Sequence, residues 1–116
     1  MKAKILILAL VLSGMTSCME KGKFEVQNRV HNVQLENISW GDYSVNENLL
    51  PGEKSGTVEV LDYKNSFPKE HYLEFYMVGG GNRVYLRTKE KYELDYDNTI
   101  TIVISDSTEV INPILN

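Results

Sequence analysis

Few residues in this 116-residue chain are equipped for chemistry. There is one thiol, Cys18, and there are two imidazoles, His31 and His71. Nucleophilic catalysis needs an activated nucleophile with a base in reach, and neither histidine lies in a nucleophile-like motif. His71 has Glu70 and Glu74 nearby, the residue types of a metal site. A metal needs three or four converging ligands, yet on a strand Glu70 and His71 point to opposite faces. Asp95, Asp97 and Asn98 carry the oxygens that calcium prefers, but Asp-Asn is also turn chemistry. Gly79-Gly80-Gly81 lacks the Gly-Lys-Ser/Thr ending of a phosphate loop and reads as a hairpin tip. The inventory points away from an enzyme and indicates no metal and no cofactor.

What remains is a surface. Tyr72, Tyr76 and Tyr85, with Glu74 and Arg87, fall on one face of a hairpin if its turn is Gly79 to Asn82. A four-residue loop sets Val78 opposite Arg83. Met77 then faces Val84 and Phe75 faces Leu86 on the inner side. On the outer side Tyr76 faces Tyr85, Glu74 faces Arg87, and Tyr72 faces Lys89. Each such pair contributes roughly 0.2–1 kcal/mol. An exposed stripe of tyrosines can bind a sugar ring or a partner protein, because tyrosine offers flat apolar area and a hydroxyl. It can equally serve only to stabilise the hairpin.

The elements that must carry this face show a period of two almost throughout. Phe24 and Val26 alternate with Glu25 and Gln27, and Val33 and Leu35 with Gln34 and Glu36. Ile38 and Trp40 follow one position out of phase, which predicts a bulge near Asn37. Leu49-Leu50-Pro51-Gly52 is a turn signal. Thr57 to Tyr63 reads as a strand, Tyr92 to Tyr96 as another, and Ile100, Ile102 and Ile104 as the last strong one. No stretch after residue 22 shows a sustained helical period. About seven short strands with regular turns predict an all-β fold, an antiparallel β-sandwich. The expected core holds Phe24, Val26, Leu35, Phe75, Leu86, Ile102 and Ile104.

The first residues give an address. Met1-Lys2-Ala3-Lys4 is basic, and Ile5 to Leu12 is apolar but too short to span a bilayer, which fits a secretory signal. Met15-Thr16-Ser17-Cys18 resembles a lipobox, the processing and lipidation motif of bacterial lipoproteins. The resemblance implies cleavage after residue 17 and a lipid on Cys18. A lone free thiol would be odd in an oxidising compartment, and lipidation removes the oddity. Two or three acyl chains make a stable anchor. The expected organisation is a signal peptide at 1–17, a short lipidated tether at 18–22 and one sandwich domain at 23–116. Residues 19–23 lack an acidic export run, so the expected place is the outer membrane, facing the periplasm.

Removing residues 1–17 takes Lys2 and Lys4 and no acid from the 12 basic and 16 acidic residues, leaving 10 against 16, a formal charge of −6. Nucleic-acid binding depends on neutralising phosphates, so this charge argues against it. The whole chain resembles small bacterial envelope lipoproteins with one immunoglobulin-like or transthyretin-like domain. The lipobox, Phe24 to Asn28, Leu50-Pro51-Gly52-Glu53 and Ile104 to Thr108 carry the resemblance. Asp106-Ser107-Thr108 also looks like the acceptor of a general O-glycosylation system in one Gram-negative phylum, with Ser107 as the acceptor. These features lead to the expectation of a non-catalytic envelope protein that binds a protein or glycan partner. The alternative is a periplasmic inhibitor or immunity-type lipoprotein capping an enzyme or toxin.

Overall fold

The computed structural model describes residues 19–114; the expected signal and Cys18 lie outside the described residues. Apolar side chains recurring at every second position give strands, and the described residues form eight of them and no helix. They are β1 (Glu20–Arg29), β2 (Gln34–Trp40), β3 (Tyr43–Val45), β4 (Val58–Asp62), β5 (Lys69–Gly79), β6 (Asn82–Leu94), β7 (Thr99–Ser105) and β8 (Val110–Ile111). A three-stranded sheet has the order β4-β1-β7, and a five-stranded sheet the order β3-β2-β5-β6-β8.

Both sheets contribute to one apolar core. Phe24, Val26, Val60, Ile102 and Ile104 come from the first, and Leu35, Ile38, Trp40, Leu73, Phe75 and Leu94 from the second. Trp40 lies at the centre, its ring 5.2 Å from Phe24, and its indole N–H donates to the Tyr92 carbonyl at 3.2 Å. The bulge expected near Asn37 is present. Asn37 has φ 49°, and the β2–β5 register shifts between Glu36 and Ser39. The extra residue keeps Leu35, Ile38 and Trp40 on one buried face despite their broken spacing.

Several expectations are corrected. There are eight strands rather than about seven, and the arrangement is not wholly antiparallel, because β1 and β7 run parallel. β1 begins at Glu20, so residues 20–22 belong to a strand and not to a tether. Thr88 to Leu94 continues β6 instead of starting a new element. Leu86 faces Phe75 as expected but is only half-buried. Cover thins toward the hairpin tip, where Met77 is half-buried and Val84 is 41% exposed.

Polar groups inside the fold are tied down. Asn28 is fully buried at the end of β1. Its amide nitrogen donates to the carbonyls of Val33 and Leu49, both at 2.9 Å, and its side-chain oxygen accepts from Val30 N–H at 3.0 Å. Its backbone bonds Glu53 and Gly52. Asp62, at the end of β4, caps the following loop, accepting from the Lys64 and Ser66 backbone N–H groups and from the Ser66 hydroxyl. Lys69 Nζ stands 4.0 Å away.

Two measurements follow from these contacts. Asn28→Ala strips the Val30 N–H and the Val33 carbonyl of their side-chain partner and leaves the Leu49 carbonyl only the Leu35 N–H, and is expected to lower stability by about 2–4 kcal/mol, read from urea unfolding. The Ser66 hydroxyl first, then the Lys64 and Ser66 amides, hold the Asp62 carboxyl at about 2. Its folded pKa lies below the unfolded value of about 4. The stabilisation is therefore complete above pH 4 and is lost as the pH falls toward 2. Unfolding midpoints measured across that window should drop more steeply for the native chain than for Asp62→Asn.

Candidate binding face

The outward side of the five-stranded sheet is assembled from successive rows across its strands. Gln34, Val78 and Arg83 make the row nearest the hairpin tip, and Glu36, Tyr76 and Tyr85 the next. Ser44, Ser39, Glu74, Arg87 and Ile111 form the third row, spanning all five strands. Tyr72 with Lys91 forms the last. The turn that starts this arrangement is tighter than the four-residue loop expected, although the register it sets is the same. Gly79 pairs with Asn82, and only Gly80 and Gly81 lie between, at φ 57° and 80°, values that favour glycine.

The expected register holds from Glu74 to Gly79, so Tyr76 faces Tyr85 and Glu74 faces Arg87. It fails at Tyr72, which pairs with Lys91 and not Lys89. One residue of β5, Leu73, spans three of β6 there. Thr88 explains the slip. Its buried hydroxyl accepts from Leu73 N–H at 3.0 Å, where a carbonyl would normally stand, and donates to the Glu90 carbonyl at 2.8 Å. The side chain replaces a backbone rung and lets two extra residues loop out.

The five expected face residues, Tyr72, Glu74, Tyr76, Tyr85 and Arg87, are half-buried and adjoin one another. The Tyr76 and Tyr85 rings lie 5.2 Å apart and tilted. Arg83 lies over Tyr76 at 3.6 Å from its centroid and reaches Glu36 at 3.6 Å. Arg87 lies over Tyr72 at 4.2 Å, and Lys91 at 5.3 Å. Burial first, then a hydrogen bond to the Glu74 carboxylate, raises the Tyr85 hydroxyl above its usual range. Arg87 Nε is buried without a hydrogen-bond partner among the described residues. Guanidinium groups already placed over aromatic rings lose little further freedom when they bind.

Arg83, Glu36 and Lys91 belong to this face and were absent from the expected set. Arg83 could have been found from its parity with Tyr85, two positions on. Glu36 arrives through pairing of β2 with β5, about 40 residues apart in sequence, which local alternation does not reveal.

The other chemistry-bearing residues lie elsewhere. His71 is packed edge-on against Trp40 at 4.8 Å, and Gly41 makes room for it. A Cβ at Gly41 would meet the imidazole at 2.6 Å, and Gly41 has φ 59°. No cluster of three or more His, Cys, Asp or Glu suited to a metal occurs among the described residues. His31 Nδ1 pairs with one Asp106 oxygen, while the other accepts His31 N–H at 3.1 Å. These bonds, the backbone one first, hold the Asp106 carboxyl below its usual range. The neighbouring hydroxyls of Ser105 and Ser107 lie 3.1 Å apart and engage each other. Ser107 itself is exposed in the turn after β7. Asp97 is in a turn, with φ 57°.

Compared with protein families, curated proteins and solved structures, the chain finds no match. The geometry of the face therefore rests on its own residues, and Thr88 is the one to probe. Thr88→Val keeps the shape but removes both hydroxyl bonds. The expected cost is about 1–3 kcal/mol, with hydrogen exchange at Leu73 accelerated and the hairpin tip unaffected.

Proposed function

We propose that this chain is a non-catalytic, lipid-anchored envelope protein whose five-stranded sheet binds a protein partner through Tyr72, Tyr76, Tyr85 and Arg87. The proposed architecture is an immunoglobulin-like sandwich after a cleaved signal, with Cys18 carrying the lipid and the domain on the periplasmic side of the outer membrane. The observation that carries the binding reading is the continuous tyrosine and arginine surface on an outward sheet face. Aromatic and arginine side chains are the types that concentrate binding energy at protein interfaces.

A protein partner suits the face better than a sugar. Sugar stacking requires an open ring face. Tyr76 is covered by Arg83 and leans on Tyr85, while Tyr72 is covered by Arg87. The exposed edges and the guanidinium groups suit carboxylates and carbonyls of a polypeptide. Ser107 is a proposed modification site, and its exposure in a turn is compatible with glycan attachment.

The two parts of the reading separate experimentally. Tyr76→Ser with Tyr85→Ser should leave a folded domain that no longer retains its protein partner in a pull-down from solubilised membranes. Retention with only about 1 kcal/mol of lost stability would assign the tyrosines to hairpin stabilisation. Cys18→Ala should release the protein from the membrane fraction, and unchanged partitioning would remove the anchor.

A further inference from the structure

The backbone of β7 has an open edge. Lys23 N–H donates to the Asn98 carbonyl, and Lys23 pairs with Thr99. In a parallel ladder this sets the backbone groups of residues 98, 100, 102 and 104 toward β1. The groups of Thr99, Thr101, Val103 and Ser105 point the other way. Ser105 is closed off by the turn, its N–H bonded to the Thr108 hydroxyl and its carbonyl to Thr108 N–H. β7 is the last strand of its sheet, so among the described residues the N–H and C=O of Thr99, Thr101 and Val103 have no strand beside them.

Other sheet borders are guarded. β3 has three residues and β8 two. β4 carries Glu59 and Asp62, and β6 carries Arg83, Arg87, Lys89, Glu90, Lys91 and Glu93. Charges, short length, proline and bulges are the usual protections of an edge. β7 reads Thr-Ile-Thr-Ile-Val-Ile-Ser, with no charge, no proline and no bulge. Thr99 and Thr101 are exposed and Val103 is half-buried.

We propose that β7 pairs antiparallel with β7 of a second copy of this chain, centred on Thr101. In this register Thr101 faces Thr101 of the other copy, and Thr99 faces Val103. All three outward-facing residues then exchange both of their hydrogen bonds, because antiparallel partners with facing groups form two bonds per pair. The cross-strand pairs are Thr–Thr and Thr–Val, uncharged and β-favouring. No other centre on β7 satisfies all three residues at once. The pairing makes a six-stranded sheet and, since its two-fold axis stands perpendicular to that sheet, turns both five-stranded faces to the same side. The two Met19 ends point in opposite directions along the strands. Anchored copies can pair this way with their strands lying along the bilayer.

Single cysteines introduced into the full-length chain test the register, with the native chain as the control for Cys18. Antiparallel partners that exchange hydrogen bonds have Cα atoms about 5.5 Å apart, within disulfide range. Thr101→Cys should shift to a covalent dimer under mild oxidation. Thr99→Cys should stay monomeric, because its two copies would be separated by four residues along the strand. The Thr99→Cys, Val103→Cys double variant should recover the dimer. Adding Val103→Lys to Thr101→Cys should abolish cross-linking, whereas adding Glu59→Lys on the β4 edge should not. The proposal is overturned if Thr101→Cys gives no dimer, if Thr99→Cys cross-links equally well, or if the product contains a different protein.

Discussion

The buried amide of Asn28 is the constraint on which the fold turns. β1 ends there in the three-stranded sheet, and the chain must cross to β2 in the other sheet within four residues, Val30 to Val33. A crossing that short leaves backbone groups facing the core with no strand to pair them. Asn28 supplies two donor bonds and one acceptor bond from a single side chain, bonding Val30, Val33 and Leu49. Buried polar groups are tolerated when every member is paired. Val33 and Gln34 enter β2 from this corner, and the β2–β5 register starts at Gln34 opposite Val78. The placement of Glu36 beside Tyr76 thus depends on an asparagine on the far side of the core.

The outward face of the five-stranded sheet depends on a second substitution of side chain for backbone. Without the Thr88 hydroxyl, regular alternation would put Tyr72 opposite Lys89, and Leu73 would bond a carbonyl. With it, three residues of β6 cover one of β5, and Lys91 arrives beside Tyr72. Arg87 and Lys91 then lie over the same ring, from either side of the irregularity. Two cations on one tyrosine repel each other, and neither makes an ion pair among the described residues. Such an arrangement supports the proposed binding reading over one in which the face serves stability alone.

The β5–β6 register near the turn is legible because one tight turn fixes it and both faces must agree. The Asn37 bulge is legible because a one-residue slip in apolar parity can be accommodated no other way. The Thr88 irregularity is not, since threonine in a strand is ordinary and its hydroxyl bond depends on a neighbour 15 residues back. The parallel β1–β7 pair joins strands about 75 residues apart, and alternation says nothing of strand direction. Leu86 obeys the inner-face parity, yet burial requires cover from the opposite sheet, which thins before the hairpin tip. Arg83, Glu36 and Lys91 needed either parity continued past the tyrosines or pairings that only the whole fold supplies.

Parallel pairing of β1 with β7 gives the domain a fixed polarity. At one pole Asp97 N–H bonds the Lys21 carbonyl, and a Cβ on Gly22 would touch Leu94, so the end of β6 and the turn into β7 lie beside the chain's beginning. At the other pole Gly79 is pressed against Asn32 and Val33, and His31 is bonded to Asp106. The hairpin tip and Ser107 therefore lie opposite Met19. Arg83, Tyr76 and Tyr85 are the rows of the face nearest that pole, and Tyr72 with Lys91 the row nearest the chain's beginning. The tyrosine pair is thus the part of the face farthest from the chain's own beginning. In the proposed antiparallel pair of copies, Arg83 and the paired rings of one copy lie toward the pole where the other copy's chain begins.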